Sequence, residues 1–576
     1  VVIAQANALG NTIQTSANYV LPANVRILTG IGNADLVLTG NDLDDVITGN
    51  AGNDTLVAGT GNATLVAGSG IDTMIGGLAN NTYKVNNAAD VIIAQENAAS
   101  NTVLASVSYA LPANVKALTG TGSADLVLTG NDMDNVITGN TGNDTLAGGA
   151  GNDTLVAGAG LATMMGGAGD DTYKINNIAD VIVEQPNEGI NTILTSVSYA
   201  LPSNVQNITA TGSADVTLTG NDLDNVIIGN AGNNTLIAGT GNATLVGGSG
   251  IDTMIGGAGN NTFKVNDVGD VVIQKQNTGA NIVQSSVSFV LPDNVQALLL
   301  TGKTSLTATG NSGNGLIVAN SGNDTLIGGT GFNVLQGGAG RNMLRDENGS
   351  GVMLGAANSD TIIGGTGADF IAGGSGNDSI TLGSANSVVA YNKGDGKDTI
   401  IGSSATGNTL SLGGGIAYSD LTFSKSGNNL VLGTGGTNSI VFQNWYASTP
   451  VRDFVTLQVL EQASPDYDPN STNTLVNQKV EQFDFGQLVT QFDQARAKAP
   501  GLTSWNLMIS LLNAHLAGSD SAAIGGDLAY YQGTKGGLTG MDLTAAVSAF
   551  QDSQFGRGAQ TVHAWSTINQ SPVTLR

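Results

Sequence analysis

The sequence predicts an all-β chain. A parallel β-solenoid of nonapeptide repeats, gathered into 90-residue modules, is followed by a β-rich domain and a small helical C-terminal region. Three observations carry this. Glycine makes up 83 of 576 residues while aromatics are only 5%, so the core must come from small stacked units rather than large rings. A long segment recurs every 90 residues: NTIQTSANYVLPANV at 11–25, NTVLASVSYALPANV at 101–115, NTILTSVSYALPSNV at 191–205 and NIVQSSVSFVLPDNV at 281–295. Within each module a finer period of nine appears, as in GNAGNDTLV, AGTGNATLV and AGSGIDTMI from Gly49 onward.

Each nonapeptide reads as a turn and a short strand. Its first four positions are glycine-rich, which suits the positive φ of tight turns. Its last three are Thr-Leu-Val or similar, and side chains alternate across a strand. Leu56, Leu65, Met74 and Tyr83 therefore point inward together. Two nonapeptides make one 18-residue coil. Residues 18 apart stack on one side, and residues nine apart lie on opposite sides. In the stretch Gly148–Lys174 this places Asp153 and Asp171 on one edge, with Ala162 on the other. The same rule pairs Asp54 with Asp72 and Asp360 with Asp378. Ninety residues equal five such coils, although the SVSYALPANV portion breaks the nonapeptide and is expected to form wider coils.

The pattern G-G-x-G-x-D-x-U-x, with U apolar, is intact at Gly148–Val156, Gly166–Lys174, Gly364–Ala372 and Gly373–Thr381. It resembles the RTX (haemolysin-type calcium-binding) repeat family, over roughly residues 1–400. Residues 388–450 are similar to the β-rich domain that often follows these repeats. The resemblance implies a parallel β-roll, calcium in the turns, and export by a type I system that reads a C-terminal signal. It does not choose a function, because toxins, proteases, lipases, adhesins and surface-layer proteins share it.

The turn chemistry agrees. A hard cation takes six to eight oxygens, and stacked carboxylates repel without one. Asp54, Asp72, Asp144, Asp153, Asp171, Asp252, Asp324, Asp360, Asp369 and Asp378 are the expected calcium ligands, with turn carbonyls completing each shell. A lone Asp in such a loop serves equally well as a turn former. Other sixth positions hold Asn81, Asn135, Asn225, Asn234 and Asn261, or Ala63, Ala162 and Ala243. Asparagines can stack as amide ladders without a cation. Fewer ions than nonapeptides are expected, and the third module should bind least.

The modules are 1–90, 91–180 and 181–270, with a partial fourth module and roll over 271–400. A β-rich domain at 401–463 and a helical secretion region at 475–576 follow. Within the last, Leu488, Val489, Phe492 and Ala495 have helical spacing. Ser504 is expected to cap a second helix carrying Trp505, Met508, Ile509, Leu512 and Leu516. Asp542 is expected to cap a third over DLTAAVSAF.

Net charge is −26, which argues against nucleic acid. Cysteine is absent, removing disulfides and thiolate metal sites. No apolar run of about 18 residues predicts a membrane span. VVIAQANALG lacks a basic n-region, so it does not read as a signal peptide. Val1–Gln5 aligns with Val91–Gln95, so the chain opens in mid-module. It is expected to continue in a longer protein or to be covered by another subunit.

The ninth position should point outward, yet it is apolar at Val57, Val66, Ile75, Val156, Met165, Ile237, Val246 and Ile255. Either other segments fold back over this stripe or another chain does. His515 and His563 lie in no catalytic motif, and no H-E-x-x-H or G-x-S-x-G is present. Carboxylate pairs could serve glycoside hydrolysis, but recurrence along a stack points to ions.

The expected protein is a secreted, non-enzymatic calcium-binding solenoid: a filament, surface layer or adhesin stalk. Its partners would be its own copies, laterally or head to tail, and a cell surface or polysaccharide. The alternative is the C-terminal calcium-binding and secretion part of a toxin or hydrolase.

Overall fold

A computed structural model describes residues 11–96, 100–276, 279–346, 348–403, 407–571 and 573–576. The Val1–Gln5 segment lies outside them. The chain divides into two units, 1–258 and 259–576, which are taken in turn.

In the first unit every strand is two to seven residues long and pairs in parallel with the strand one coil away. The register runs Thr12↔Ile27, Ile27↔Val46, Val46↔Thr64, Thr64↔Thr82 and Thr82↔Thr102. One module is therefore five coils, with steps of 15, 19, 18, 18 and 20 residues. The second module repeats this register from Thr102 to Thr192. The short step belongs to the segment that breaks the nonapeptide, so this coil is narrower than two nonapeptides and not wider as expected. Its turn is closed by Asn24, Asn114 and Asn204, all left-handed at φ 66–68°, a conformation asparagine tolerates better than most residues.

The opposite side carries separate five-stranded sheets, one per module: Tyr19, Leu38, Leu56, Met74 and Ile92 align in the first, and Tyr109, Leu128, Leu146, Met164 and Ile182 in the second. Leu28, Ile47, Leu65 and Tyr83 meet Leu38, Leu56 and Met74 in the core, all fully buried. The turns stack so closely that glycine is obligatory in places. A Cβ on Gly59 would sit 1.5 Å from the Asn41 carbonyl oxygen.

The outward face is a column of valine and threonine. Val46, Val136 and Val226, 90 residues apart, are 37–47% exposed. The ninth-position residues are half-buried between stacked neighbours, as Val57 is between Thr39 and Ile75, and only Met165 among them is exposed. Among the described residues of this unit the non-nonapeptide stretches are themselves coils, not a cover over these positions.

In the second unit the coils are parallel as far as the pairing of Asn408–Gly413 with Phe454–Val459, and antiparallel strands follow. Lys397–Ile401 pairs in parallel with Ser439–Phe442, which continues antiparallel to Asn429–Thr434 and Leu421–Ser426. Asn408–Gly413 pairs with Phe454–Val459, then Val480–Asp484, then His515–Ser519. Residues 401–463 thus extend the sheets of the roll.

Four helices follow: α1 (Phe485–Lys498), α2 (Met508–Ala514), α3 (Gly526–Lys535) and α4 (Leu543–Gln551). The spacing of Leu488, Val489 and Phe492 is that of a helix with one buried face. The second helix differs from expectation. Trp505–Asn506 is strand, paired to Phe423 and Thr422, and the Asn506 side chain rather than Ser504 accepts the Met508 amide. Asp542 stands at the N-cap of α4, but its carboxylate accepts the Gln570 and Ser571 amides instead. Helices α3 and α4 pack on outward residues of the last coils. Val334, Val352, Phe370 and Val388 stack in one column and are buried with Leu528, Ala529, Met541 and Ala546. Here the chain does fold back over its own apolar stripe.

Candidate metal centre

Each sixth-position residue ends a turn and starts a strand, and all ten aspartates singled out in the sequence are at most 3% exposed. Their carboxylates meet backbone amides of the adjacent coil. Oδ1 of Asp54 accepts the Leu36 amide, the Asp54 amide donates to Asp72 Oδ1, and the Asp72 amide donates to Asp90 Oδ1, at 2.8, 2.8 and 3.0 Å. Further ladders run from Asn135 through Asp153 and Asp171 to Asn191, and from Asn342 through Asp360 and Asp378 to Asp398. The spacing-of-18 rule holds at these rungs except the last of two ladders, Asp171 to Asn191 and Asp378 to Asp398, where the step is 20 residues.

The ten residues sort by their second oxygen. In Asp54, Asp144 and Asp324 it accepts an amide of the same turn, from Asn50, Asn140 and Asn320. In Asp72, Asp153, Asp171, Asp360, Asp369 and Asp378 it is buried with no hydrogen-bond partner. Asp252 takes the Asn234 amide on Oδ1 at 2.7 Å. Desolvation dominates the open group: it pushes Asp153 and Asp360 up to about 7, and Asp72, Asp171 and Asp378 to about 6. Stacked amides act against that rise, and Asp171 and Asp378 push Asp153 and Asp360 further up.

All of these unpartnered oxygens but that of Asp72, which has Ala67 at the corresponding position, face glycines. A Cβ on Gly148 would lie 2.2 Å from Asp153 Oδ2 and 2.5 Å from the Gly166 carbonyl oxygen. At Gly355 the corresponding neighbours are Asp360 Oδ2 and the Gly373 carbonyl, at 2.5 and 2.4 Å. A carboxylate oxygen without a donor and a backbone carbonyl oxygen thus crowd the same glycine, an oxygen-rich turn whose chemistry fits a hard cation. Among the described residues no three His, Asp or Glu side chains gather around one metal position. An ion in these turns would take most of its oxygens from the backbone.

Where asparagine replaces aspartate, the amide supplies its own donors. Asn135 accepts the Asn131 amide and donates to Asn131 Oδ1, and Asn234 donates to the Gly232 carbonyl. Ala162 contributes only its backbone amide, to Asp180 Oδ1. Asp90, Asp180 and Asp398 join the ladders although the motif does not mark them. The signal was the register itself, since Asp90 and Asp180 lie 18 residues beyond Asp72 and Ala162. Sequence also missed Glu184. It is buried, accepts a hydrogen bond from the Tyr173 hydroxyl, and is pushed up to about 8 by desolvation first and Asp171 second.

The family model of the RTX calcium-binding nonapeptide repeat (4 copies) matches residues 39–74, 57–92, 129–161, 219–254, 237–271, 309–345 and 354–389. The intact motif at Gly166–Lys174 lies outside these segments but has the same geometry at Asp171. No curated protein matches the chain.

Proposed function

We propose that this chain, which carries RTX calcium-binding repeats, is a non-enzymatic structural protein of the extracellular space: a self-assembling filament, a surface layer or an adhesin stalk. Repeats of this kind are typical of secreted proteins. In a calcium-poor cytoplasm the buried carboxylates of the open turns oppose folding. Outside the cell the ion lifts that repulsion, so binding free energy becomes folding free energy. Export would use a type I system, with its signal in 475–576.

The observation that carries the structural role is the module-periodic outer face. Val46, Val136 and Val226 repeat an exposed apolar position on a β-branched strand surface, and Val91 and Val181 repeat a second. Such a face suits lateral contact between copies. The absence of an enzymatic role is supported by how the carboxylates are used. A cavity of about 580 Å³ beside α3 and α4 is lined by Asp527, Asp542, Asp552 and His563. Asp527 holds His563 at 2.9 Å, and Asp542 and Asp552 accept neighbouring amides.

Negative-stain imaging of the purified chain with calcium and with excess chelator tests the reading. Filaments or sheets that require calcium are expected. Isolated particles in both conditions would sink it, in favour of a calcium-binding portion of a larger secreted toxin or hydrolase.

A further inference from the structure

A second cluster of oxygens, built differently, lies in the C-terminal region beyond every segment that the repeat model matches. Glu461 begins a 3-10 turn, Glu461–Ala463, just after strand Phe454–Val459. Glu481 lies on strand Val480–Asp484, opposite Val459, and the Gln462 amide donates to the Lys479 carbonyl, so the two glutamates flank one short stretch of ladder. Both are 0% exposed. Both carboxylate oxygens of Glu461, Oε1 of Glu481 and Oε1 of Gln478 are buried without a hydrogen-bond partner.

Glu481 and Gln478 approach each other, and Glu461, two residues past Val459, the ladder partner of Glu481, adds its charge to theirs. A Cβ on Gly518 would lie 2.6 Å from Glu481 Oε2 and 2.8 Å from Gln478 Oε1. The Tyr418 hydroxyl lies against the Glu461 carboxylate, yet it donates to the Leu475 carbonyl at 2.6 Å and so can offer Glu461 only a lone pair. Ser464 offers Glu461 its single hydroxyl donor, and the Glu481 and Asp466 carboxylates add repulsion. His515 Nε2 lies 2.8 Å from Glu481 Oε2, so the imidazole touches one of the two glutamates. A protein interior does not hold facing acceptors without a donor or a counter-charge.

We propose that Glu461, Glu481 and Gln478 bind a calcium ion at a site separate from the repeats. All its donors are oxygens, the preference of a hard cation. The ion would tie the turn after Phe454–Val459 to strand Val480–Asp484, and so fix the antiparallel strands that end the roll.

The test counts calcium bound to the full chain at saturation, by equilibrium dialysis and elemental analysis, for the wild type and for Glu461→Gln. Loss of one equivalent is expected in Glu461→Gln, with the Asp153→Ala/Asp171→Ala variant as a control that loses ions from the repeats instead. An unchanged count in folded Glu461→Gln would overturn the site and leave a shared proton between the glutamates. If that variant does not fold, terbium-soaked crystals of the wild type decide. An anomalous peak between Glu461 and Glu481 supports the site, and peaks confined to the repeat turns refute it.

Discussion

The backbone amide of Asp153 donates to Oδ1 of Asp171, 18 residues further along, at 2.7 Å, while Oδ2 of Asp153 points at Gly148 with no hydrogen-bond donor. One oxygen of each carboxylate therefore builds the stack and the other is left for a ligand. This division of labour explains how an acidic ladder can be both structural and ion-dependent.

Removing the charge but keeping the shape should reverse sign with calcium. In Asp153→Asn/Asp171→Asn the Oδ1 acceptors survive and the buried negative charges disappear. Without calcium the variant should be more stable than the wild type, by on the order of 1 kcal/mol per carboxylate. With calcium at 100 times its Kd the wild type gains about 2.7 kcal/mol per site, which the variant forgoes. Thermal melts in calcium and in chelator should therefore cross. A variant less stable than wild type in both conditions would assign these residues a purely structural role.

The same carboxylates set a pH dependence. Burial raises Asp153 and Asp360 from 3.8 to about 7 in the folded chain, so the folded state holds protons that the unfolded state has released. Stability of the calcium-free chain should thus fall as pH rises from about 4 to about 7, and level off above. Calcium needs the ionised form, so its affinity should rise over that interval. Chemical unfolding in chelator at pH 5 and pH 8, together with calcium titrations at both, checks the two opposite slopes.

Gly148→Ala should abolish the response of its turn to calcium. The new methyl would lie 2.2 Å from Asp153 Oδ2 and 2.5 Å from the Gly166 carbonyl, so these oxygens must shift away from their positions in the turn. A cost of about 1–3 kcal/mol is expected from overpacking alone. Gly501→Ala, where a Cβ meets nothing within 4 Å, is the control. Equal calcium binding by the two variants would place the ion elsewhere.

What the sequence made legible follows from periodicity. A register of 18 placed Asp54 over Asp72 and Asp360 over Asp378, because a solenoid converts spacing directly into neighbours. It could not separate Asp144, whose two oxygens are taken by amides, from Asp153, whose second oxygen is open, since both close the same motif. Coils of 15 and 20 residues were hidden because the Asn24 turn has no glycine signature. Helix α3 was missed because it starts at Gly525-Gly526, both at positive φ, and glycines inside it weaken any helical pattern. Beyond the repeats, Glu461 and Glu481 share a site through antiparallel pairing, which no local spacing encodes.

The cover over the last coils should be as important as the ions beneath the turns. Phe370 is fully buried in the column Val334, Val352, Phe370 and Val388, under Leu528 and Ala529 of α3. Arg576 adds a reciprocal backbone clasp, its amide and carbonyl both bonded to the Gln336 side chain at 2.8 Å. Phe370→Ala should cost about 3–5 kcal/mol through lost transfer energy and a cavity. The effect should fall on the helical layer first, because the strand beneath keeps its backbone ladder to Val352 and Val388. Amide hydrogen exchange should show α3 and α4 losing protection while Asp369–Ala372 keeps it. Uniform loss across both would mean that the layer and the roll unfold as a single unit and that the helices are part of its core.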